Sequence, residues 1–302
     1  MADAAFAPPR RLVRALHEAP GQAEAERWLD RLPELTREAL AAHGARAERV
    51  VEPGGRSSLV ALVRRRDDEP AALKLAPPFA EPDLERDALV HWNGWGAVRV
   101  LEPGTGPGLL LERLQPEVSL RSLPEAKALL EAAGTVRKLW VAPPEGHGFE
   151  SVGRRTARQA AALEAHLADP VAAPLVDAAL AVREELVAGE PEALLLHGCF
   201  RQGKVLAGER APWLTVGPEP VVGERAYDLA RLVRDRVEDL VAETSGAAAA
   251  RRRVHKLADS LDVDRERLRG WTLFRAVESA SRAFTAERRP YGELLLEFAS
   301  WL

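Results

Sequence analysis

The segment from residue 192 to residue 218 constrains the fold of this chain more than any other part. It begins with an apolar run, EALLL (192–196), continues as HGCFRQGKVL (197–206), and ends with PWLTVGP (212–218). A short apolar run that stops at a glycine is typical of a buried strand, and the last run has the composition of a second strand that ends in a turn. We therefore predict a strand, loop, strand hairpin with chemical groups at its tips.

The loop and the turn after it resemble the catalytic segment of the aminoglycoside phosphotransferase family, in particular its streptomycin 6-phosphotransferase and hydroxyurea phosphotransferase-like branch. That family has the pattern HGDLHxGNVL, followed by an Ile-Asp-Pro turn. The frame of this pattern is present here as His197, Gly198, Gly203, Val205, Leu206 and Pro218. The resemblance implies a protein-kinase-like α+β fold of two lobes. One lobe is a small antiparallel sheet with one main helix, and the other is larger and mainly helical.

The three positions that carry the chemistry in that family hold other residues in this chain. Phosphoryl transfer of this kind uses an aspartate to accept the proton of the attacking hydroxyl, and an asparagine and a second aspartate to hold magnesium. In register with the family pattern, these positions are Cys199, Lys204 and Gly217. A general base contributes roughly 10²- to 10⁴-fold to a rate, and magnesium neutralises charge on the transferred group. We expect a pseudokinase in which no catalytic residue is intact.

The N-terminal part of the chain has the nucleotide-holding elements in the order that the family has them. A strand, a Gly-Gly turn and a second strand are predicted over 50–63, a third strand over 71–75, a helix over 82–92, and further strands over 97–101 and 108–114. The resemblance implies that Lys74 grips nucleotide phosphates and pairs with Glu85. The candidates for nucleotide binding are Gly54, Gly55, Ser57, Ser58, Lys74, Glu85 and Glu112.

A third segment, VGERAYDLA (222–230), resembles the part of the family in which an aspartate braces the catalytic loop from the start of a helix. By this resemblance Asp228 is structural and ties down the loop that begins at His197. We therefore expect the geometry of the loop to persist although its chemical residues have changed.

The substitutions in the loop shift its charge in one direction. Relative to the family pattern, negative charge is lost at Cys199 and Gly217, and positive charge is gained at Arg201 and Lys204. A lysine ammonium pairs with phosphate, sulfate or carboxylate as a point charge. We predict a metal-free cationic cleft for a small anionic ligand, with His197, Cys199, Arg201 and Lys204 as its contacts. No cofactor is then required, any ATP or GTP binds without metal, and a protein partner is the other candidate occupant.

Two alternatives stay open from the residues alone. In the first, the fold has been adapted to another reaction, with Cys199 as a thiolate activated by nearby cations, or with the cationic site promoting a cyclisation or elimination on a biosynthetic intermediate. In the second, the chain is a weak antibiotic kinase that uses a displaced acid, Glu219. Residues 231–289, where the family places much of its acceptor side, contain more Arg and Lys than Asp and Glu. That composition disfavours a polycationic aminoglycoside.

Composition limits the classes of partner. The chain has 302 residues, of which 46% are hydrophobic, and this is enough for two packed lobes. A net charge of -4 gives no case for nucleic acid, and no apolar run approaches the roughly 20 residues that span a bilayer. A single cysteine suits a reducing compartment. We expect a cytoplasmic protein with neither a membrane nor a nucleic-acid partner.

The positions of proline and glycine, together with the periodicity of hydrophobic residues, predict three regions. Residues 1–20 are expected to form a loose arm, 21–114 the N-lobe, and 115–302 the helical C-lobe with the degenerate loop 197–206 and the 213–218 hairpin. A leading helix over 22–40 is expected to be interrupted at Pro33. The helices predicted for the C-lobe cover 125–140, 155–168, 172–188, 224–243, 247–259, 264–284 and 292–301.

Overall fold

The chain folds into two compact units. The computed structural model describes residues 7–18, 22–102, 106–164, 172–189 and 192–302. The first unit comprises Met1–Ser119 and Leu206–Val216, and the second comprises Leu120–Val205 and Gly217–Leu302. We predicted one division after residue 114, whereas the segment 206–216 belongs with the first unit. The reason is that its backbone pairs with residues 96–98 and 115–119.

The secondary structure agrees with a sheet-rich first unit and a helical second unit. Within the described residues, the strands are β1 (Arg46–Val50), β2 (Leu59–Arg64), β3 (Pro70–Leu75), β4 (Leu109–Glu112), β5 (Gln115–Ser119), β6 (Leu194–Leu196), β7 (Val205–Ala207), β8 (Trp213–Thr215) and β9 (Val221–Gly223). The helices are α1 (Arg10–His17), α2 (Gln22–Ala42), α3 (Pro82–Trp92), α4 (Glu125–Val136), α5 (Val152–Glu164), α6 (Ala173–Ala188), α7 (Arg225–Val233), α8 (Val237–Ala242), α9 (Gly246–Leu261), α10 (Arg265–Thr285) and α11 (Arg289–Ala299).

A four-stranded antiparallel sheet forms the centre of the first unit, in the order β1, β2, β3, β4. Strands β2, β3 and β4 are mostly apolar and buried, whereas the edge strand β1 is mostly polar and exposed. Lys74 is opposite Val60 of β2 and Leu109 of β4. The strand therefore holds this lysine in an apolar setting, as its sequence predicts.

Helix α1 corrects the prediction of a loose arm over residues 1–20. Leu12 and Leu16, one helical turn apart, are buried in the same hydrophobic cluster as Trp28 and Leu32 of α2 and the apolar residues of β2 and β3. Burying two leucines from one face of a short helix is enough to hold it against the sheet. Residues 1–6 and 19–20 of the predicted arm lie outside the described residues.

Helix α2 runs through Pro33 without the predicted interruption. A proline inside a helix removes one backbone hydrogen bond and crowds the preceding turn. Here the same helix face is buried on both sides of the proline, at Trp28 and Leu32 before it and at Thr36 and Ala39 after it. Tertiary packing therefore outweighs the local preference.

The predicted hairpin between residues 192–196 and 212–218 does not form. Strand β6 pairs antiparallel with β9 instead, with Leu195 opposite Val222, while β8 is a neighbour of β7 in a three-stranded sheet with β5. The predicted strand at 97–101 is reduced to single bridges from Ala97 to Thr215 and from Val100 to Leu111. Short apolar runs show that a strand is present, but they do not determine its partner.

Helix α10 is the centre of the second unit, where it packs against α6, α7 and α11. Trp271, Phe274 and Val277 are among its buried side chains. The predicted helix over 224–243 is two helices, because Arg236 adopts a left-handed conformation with φ 57°. Of the predicted helix over 155–168, residues 165–168 lie outside the described residues. No helix in the described part of the chain is long and apolar enough to cross a membrane.

Candidate functional site

The loop from residue 197 onward is held from below by Asp228. One carboxylate oxygen accepts a hydrogen bond from the backbone N of His197 at 3.1 Å, and the other accepts from the backbone N of Gly198 at 2.9 Å. The indole of Trp140 contacts the same carboxylate at 3.4 Å. Burial raises the pKa of Asp228, and these hydrogen bonds offset only part of that rise. Asp228 therefore acts as a brace for the loop and takes no position in which it would meet a ligand.

Gly198 fastens the loop to the turn that follows β8. Its φ is +75°, and a Cβ added there would lie 1.9 Å from the backbone oxygen of Glu219. The backbone N of Glu219 donates to the carbonyl oxygen of His197 at 2.9 Å, and Arg275 donates to the carbonyl of Gly198 at 2.7 Å. Only glycine combines this conformation with so close an approach.

The ammonium of Lys204 lies between the loop and the turn. Nζ donates to the carbonyl oxygen of Gly217 at 2.5 Å and to Sγ of Cys199 at 2.7 Å. It also lies 3.5 Å from Oε1 of Glu219, and 18% of the lysine side chain is exposed. The structure thus brings together the three positions, 199, 204 and 217, at which the resemblance places the chemistry of the family. A side-chain cation occupies the space that they share.

These three positions do not fit magnesium. Magnesium prefers six oxygen ligands in near-ideal octahedral geometry, usually with one or two carboxylates. Cys199 supplies a thiol, Lys204 an ammonium, and Gly217 no side chain at all. In the described part of the chain, no three His, Cys, Asp or Glu side chains converge as a metal site would require. A positively charged ammonium would also repel a divalent cation placed beside it.

Cys199 and His197 are buried and do not present their side chains to a ligand, contrary to their prediction as ligand contacts. Both are 0% exposed, and the imidazole of His197 meets the ring of Phe200 edge-on at a centroid distance of 5.8 Å. Burial raises the pKa of the Cys199 thiol, the charge of Glu219 raises it further, and the opposing effect of Lys204 is smaller. The thiol is therefore protonated at neutral pH, which argues against Cys199 as a nucleophile.

Thiol labelling tests this assignment directly, because the chain contains one cysteine. We expect a disulfide reagent to label Cys199 in the native protein at least about 10²-fold more slowly than in denaturant, because reaction requires local opening worth about 3 kcal/mol. The measurement is the rate of chromophore release at pH 8. Equal rates in the native and the unfolded protein would contradict the burial and restore the thiolate alternative.

Arg201 does not join Lys204 at the ammonium site. It is partly exposed, and its charge acts on Asp235, whose pKa burial raises and Arg201 helps to lower. Asp235 accepts a hydrogen bond from the backbone N of Gln202 at 2.5 Å. Arg201 therefore belongs to the side of the loop that faces Asp235, and the two predicted cations serve different neighbours.

Arg231 was not predicted as a site residue, and Glu219 was predicted only as a displaced acid. Desolvation raises the pKa of Glu219, but the charges of Lys204 and Arg231 outweigh it and hold that pKa well below its ordinary value. The carboxylate is ionised, and 59% of the Glu219 side chain is exposed. The signal for Arg231 was its spacing, since it follows Asp228 by three residues and thus lies on the same face of α7.

In the first unit, Lys74 and Glu85 form an ion pair. Lys74 is on the inner strand β3, and Glu85 is on α3, where it is 4% exposed. One carboxylate oxygen of Glu85 accepts from Lys74, and the other has no hydrogen-bond partner among the described residues. This is the pairing that the resemblance implies for a nucleotide-holding lysine.

The turn between β1 and β2 contains the other predicted nucleotide contacts. Gly54 has φ +68°, and a Cβ there would lie 2.9 Å from the carbonyl oxygen of Val51. Gly55 has more space, with its nearest neighbour, Ser58, at 3.7 Å. Ser58 is buried and Ser57 is exposed. Gly54 is therefore required by the turn itself, while Gly55 and Ser57 are the accessible members of the set.

Glu112 serves the first unit as a structural ion pair. Its two carboxylate oxygens accept hydrogen bonds from Arg210, at 3.0 Å from Nε and at 2.6 Å from Nη2. One of them also accepts from the backbone N of Arg99 at 2.8 Å. These contacts join β4 to the 206–216 segment, so the structure gives Glu112 a bracing role in place of the predicted contact with nucleotide.

Comparison with known proteins identifies the family of this chain. A model of the aminoglycoside/hydroxyurea antibiotic resistance kinase family matches residues 43–286. The chain is 34% identical over 281 residues to streptomycin 6-kinase of Streptomyces glaucescens, covering 90% of this chain and 89% of that relative. It is 36% identical over 270 residues to hydroxyurea phosphotransferase of Kitasatospora aureofaciens, covering 86% of this chain and 75% of that relative.

A solved structure of aminoglycoside phosphotransferase APH(4)-Ia has the same fold, with a TM-score of 0.60 at 16% sequence identity over 88% of this chain and 96% of that one. This chain belongs to the aminoglycoside/hydroxyurea antibiotic resistance kinase family. The family and the kinase-like two-lobe fold that the loop predicts are thereby confirmed.

Proposed function

We propose that this member of the family does not transfer phosphate and that it binds a small anionic molecule at a metal-free site in the helical unit. The observation that carries the proposal is the position of the Lys204 ammonium. It donates to the carbonyl of Gly217 and to the sulfur of Cys199, which are the positions of the metal-binding and proton-accepting aspartates in the family pattern. A side chain of the protein thus supplies the positive charge at this point.

The expected loss of rate is large. Without a general base, phosphoryl transfer is slower by roughly 10²- to 10⁴-fold, and the metal positions supply most of the charge neutralisation on top of that. The only carboxylate beside the ammonium among the described residues is Glu219, and its lowered pKa makes it a weak base. These observations favour a site that does not transfer phosphate over a kinase that uses Glu219 as a displaced acid.

The first alternative was that the fold has been adapted to another reaction. One form of that alternative used Cys199 as a nucleophile, and the structure argues against this form. Cys199 is buried and its pKa is raised, whereas catalytic thiolates are partly exposed and have lowered pKa values. A reaction without covalent chemistry would depend on Lys204 and Glu219, and the same ligand-binding experiments address it.

Nucleotide binding is a second part of the proposal. The ion pair between Lys74 and Glu85 supports retention of the phosphate-gripping lysine in the first unit. With no magnesium position, ATP or GTP would bind through protein groups alone. The affinity should therefore depend on Lys74 and should not depend on magnesium.

The proposal is tested by measuring phosphate transfer from radiolabelled ATP in magnesium to streptomycin or hydroxyurea, the substrates that the names of the relatives suggest. A typical kinase turns over about 1–100 times per second, and we expect a rate below roughly 10⁻³ per second after loss of base and metal. Lys74→Ala is the matched control. Transfer near 1 per second that disappears in Lys74→Ala would overturn the proposal.

A further inference from the structure

We infer that Arg231 holds the anionic group of the ligand, through a phosphate or carboxylate that accepts two hydrogen bonds from the guanidinium. This inference rests on the proposed function and gives the site its principal contact. It differs from the prediction made from sequence, which assigned that role to Lys204 and Arg201.

Arg231 is positioned by the same helix that braces the loop. Residues three and four apart on a helix share a face, so Arg231 lies on the face of α7 that carries Asp228 and Tyr227. Asp228 binds the backbone of His197 and Gly198 directly. Arg231 therefore projects from one helical turn beyond the brace, and its charge acts on both Glu219 and Cys199.

The other cations near the loop have their donors directed at protein atoms. Lys204 donates to Gly217 and Cys199. Arg155 donates to the carboxylate of Glu150 at 2.6 Å and to the carbonyl of Glu219 at 2.8 Å. The donors of Arg275 reach the carbonyls of Tyr227 at 3.0 Å and of Gly198 at 2.7 Å. Arg155 and Arg275 therefore hold the loop together, and Lys204 contributes its charge to the site more than free donors.

Arg231 is different, because its side chain makes no hydrogen bond or ion pair with any residue that the structure describes. It is neither fully buried nor fully exposed. Polar groups that are removed from water normally have partners, and an unpaired one calls for an explanation. A guanidinium offers five donors in a planar fork that matches phosphate and carboxylate oxygens. The accessible part of Arg231 is thus suited to a solute oxyanion.

The neighbouring carboxylates act on Arg231 through their charge, and neither forms an ion pair with it among the described residues. Glu278 forms an ion pair with Arg282 at 2.8 Å and accepts from the hydroxyl of Ser279 at 3.1 Å. Glu219 lies beside Lys204. Although burial opposes it, the pKa of Arg231 is raised by these anions, so its charge is secure at any physiological pH. Arg231 therefore stays charged near Glu219 without a hydrogen-bonded partner among the described residues.

The test is calorimetric titration of inorganic pyrophosphate and, separately, of citrate, in EDTA and at an ionic strength fixed with sodium chloride. The variants are Arg231→Gln, Arg231→Lys, and Arg201→Gln as the matched control on the other side of the loop. We expect Arg231→Gln to weaken binding at least about tenfold, because hydrogen bonds to a charged group are lost. Arg231→Lys should be intermediate, and Arg201→Gln should change affinity less than about twofold.

The two probes separate phosphate from carboxylate recognition. The affinity for pyrophosphate, for citrate or for both will depend on Arg231, and the probe that does so identifies the group that is bound. Undiminished binding by Arg231→Gln, an equal loss in Arg201→Gln, or no binding of either probe by the native protein would overturn the inference. Thermal unfolding of each variant shows whether a loss reflects misfolding, and Arg231→Lys keeps the charge in place. Magnesium-dependent phosphate transfer would overturn the proposed function. The effect of Arg231→Gln on anion affinity is a separate measurement and would still decide the role of Arg231.

Discussion

A variant that combines Cys199→Asp, Lys204→Asn and Gly217→Asp is expected to bind ATP at least about tenfold more tightly in magnesium than in EDTA. It is also expected to transfer phosphate at least about 10²-fold faster than the native protein. The reason is that the ammonium, which donates to Gly217 and Cys199, is replaced by oxygen ligands of the kind that magnesium prefers. The backbone at Gly217 has φ +61°, a conformation that aspartate tolerates better than most residues.

The single substitutions are the matched controls for this variant. Lys204→Asn alone removes the cation but leaves no carboxylate at Gly217, so it should gain little, and the three changes should act together more than additively. Adding Lys74→Ala to the combined variant should abolish the gain. If the combined variant folds and still ignores magnesium, the assignment of these three positions to the metal and the base is wrong.

Gly198→Ala is expected to destabilise the protein by at least about 3–5 kcal/mol, which is at the upper end of single-residue effects. The new methyl group would lie 1.9 Å from the carbonyl oxygen of Glu219, and that oxygen is backbone, so it cannot turn aside. The left-handed backbone adds about 1–2 kcal/mol for a residue with a Cβ. Chemical denaturation of the native and variant proteins measures the difference in the free energy of unfolding.

Gly134→Ala is the control for Gly198→Ala. Gly134 lies within α4, and a Cβ there would meet no atom within 4 Å apart from its chain neighbours and the backbone of its own helix. Alanine in that helix should therefore stabilise the protein by roughly 0.5–1 kcal/mol. A change at Gly198 that is smaller than about 1 kcal/mol would mean that the loop can separate from the Glu219 turn, and the close fastening described above would be wrong.

The parts of the fold that could be predicted are those fixed by local pattern and order along the chain. The lysine in the apolar strand at Lys74, the following helix with Glu85, and the bracing Asp228 all follow from their place in that order. Their contacts in the structure are an ion pair and two backbone hydrogen bonds. Each of these contacts joins elements whose identity the sequence already determines.

The parts that could not be predicted depend on tertiary contacts. Helix α1 packs because Leu12 and Leu16 are buried against α2 and the sheet. The eight residues of the helix contain no pattern that predicts this contact. Strand β6 pairs with β9, which is a choice among several apolar runs of similar strength. These outcomes are set by burial across the unit, and a local pattern does not contain them.

The site shows the same division. The replacement at Lys204 was visible in the sequence, but the inward direction of its ammonium was not, because a four-carbon side chain reaches protein and solvent equally well. Arg231 stayed unnoticed because an arginine on a helix face is ordinary. Its lack of a hydrogen-bonded or ion-paired partner among the described residues is a property of the tertiary structure, which the sequence does not contain.

The most direct test of a metal-free site is calorimetric titration of ATP into the native protein, once in EDTA and once in magnesium. If the ammonium of Lys204 occupies the metal position, as its contacts with Gly217 and Cys199 indicate, ATP will bind with the same dissociation constant in both buffers, to within about twofold. Binding that is at least about tenfold tighter in magnesium would contradict this account and return the protein to the metal-dependent kinases.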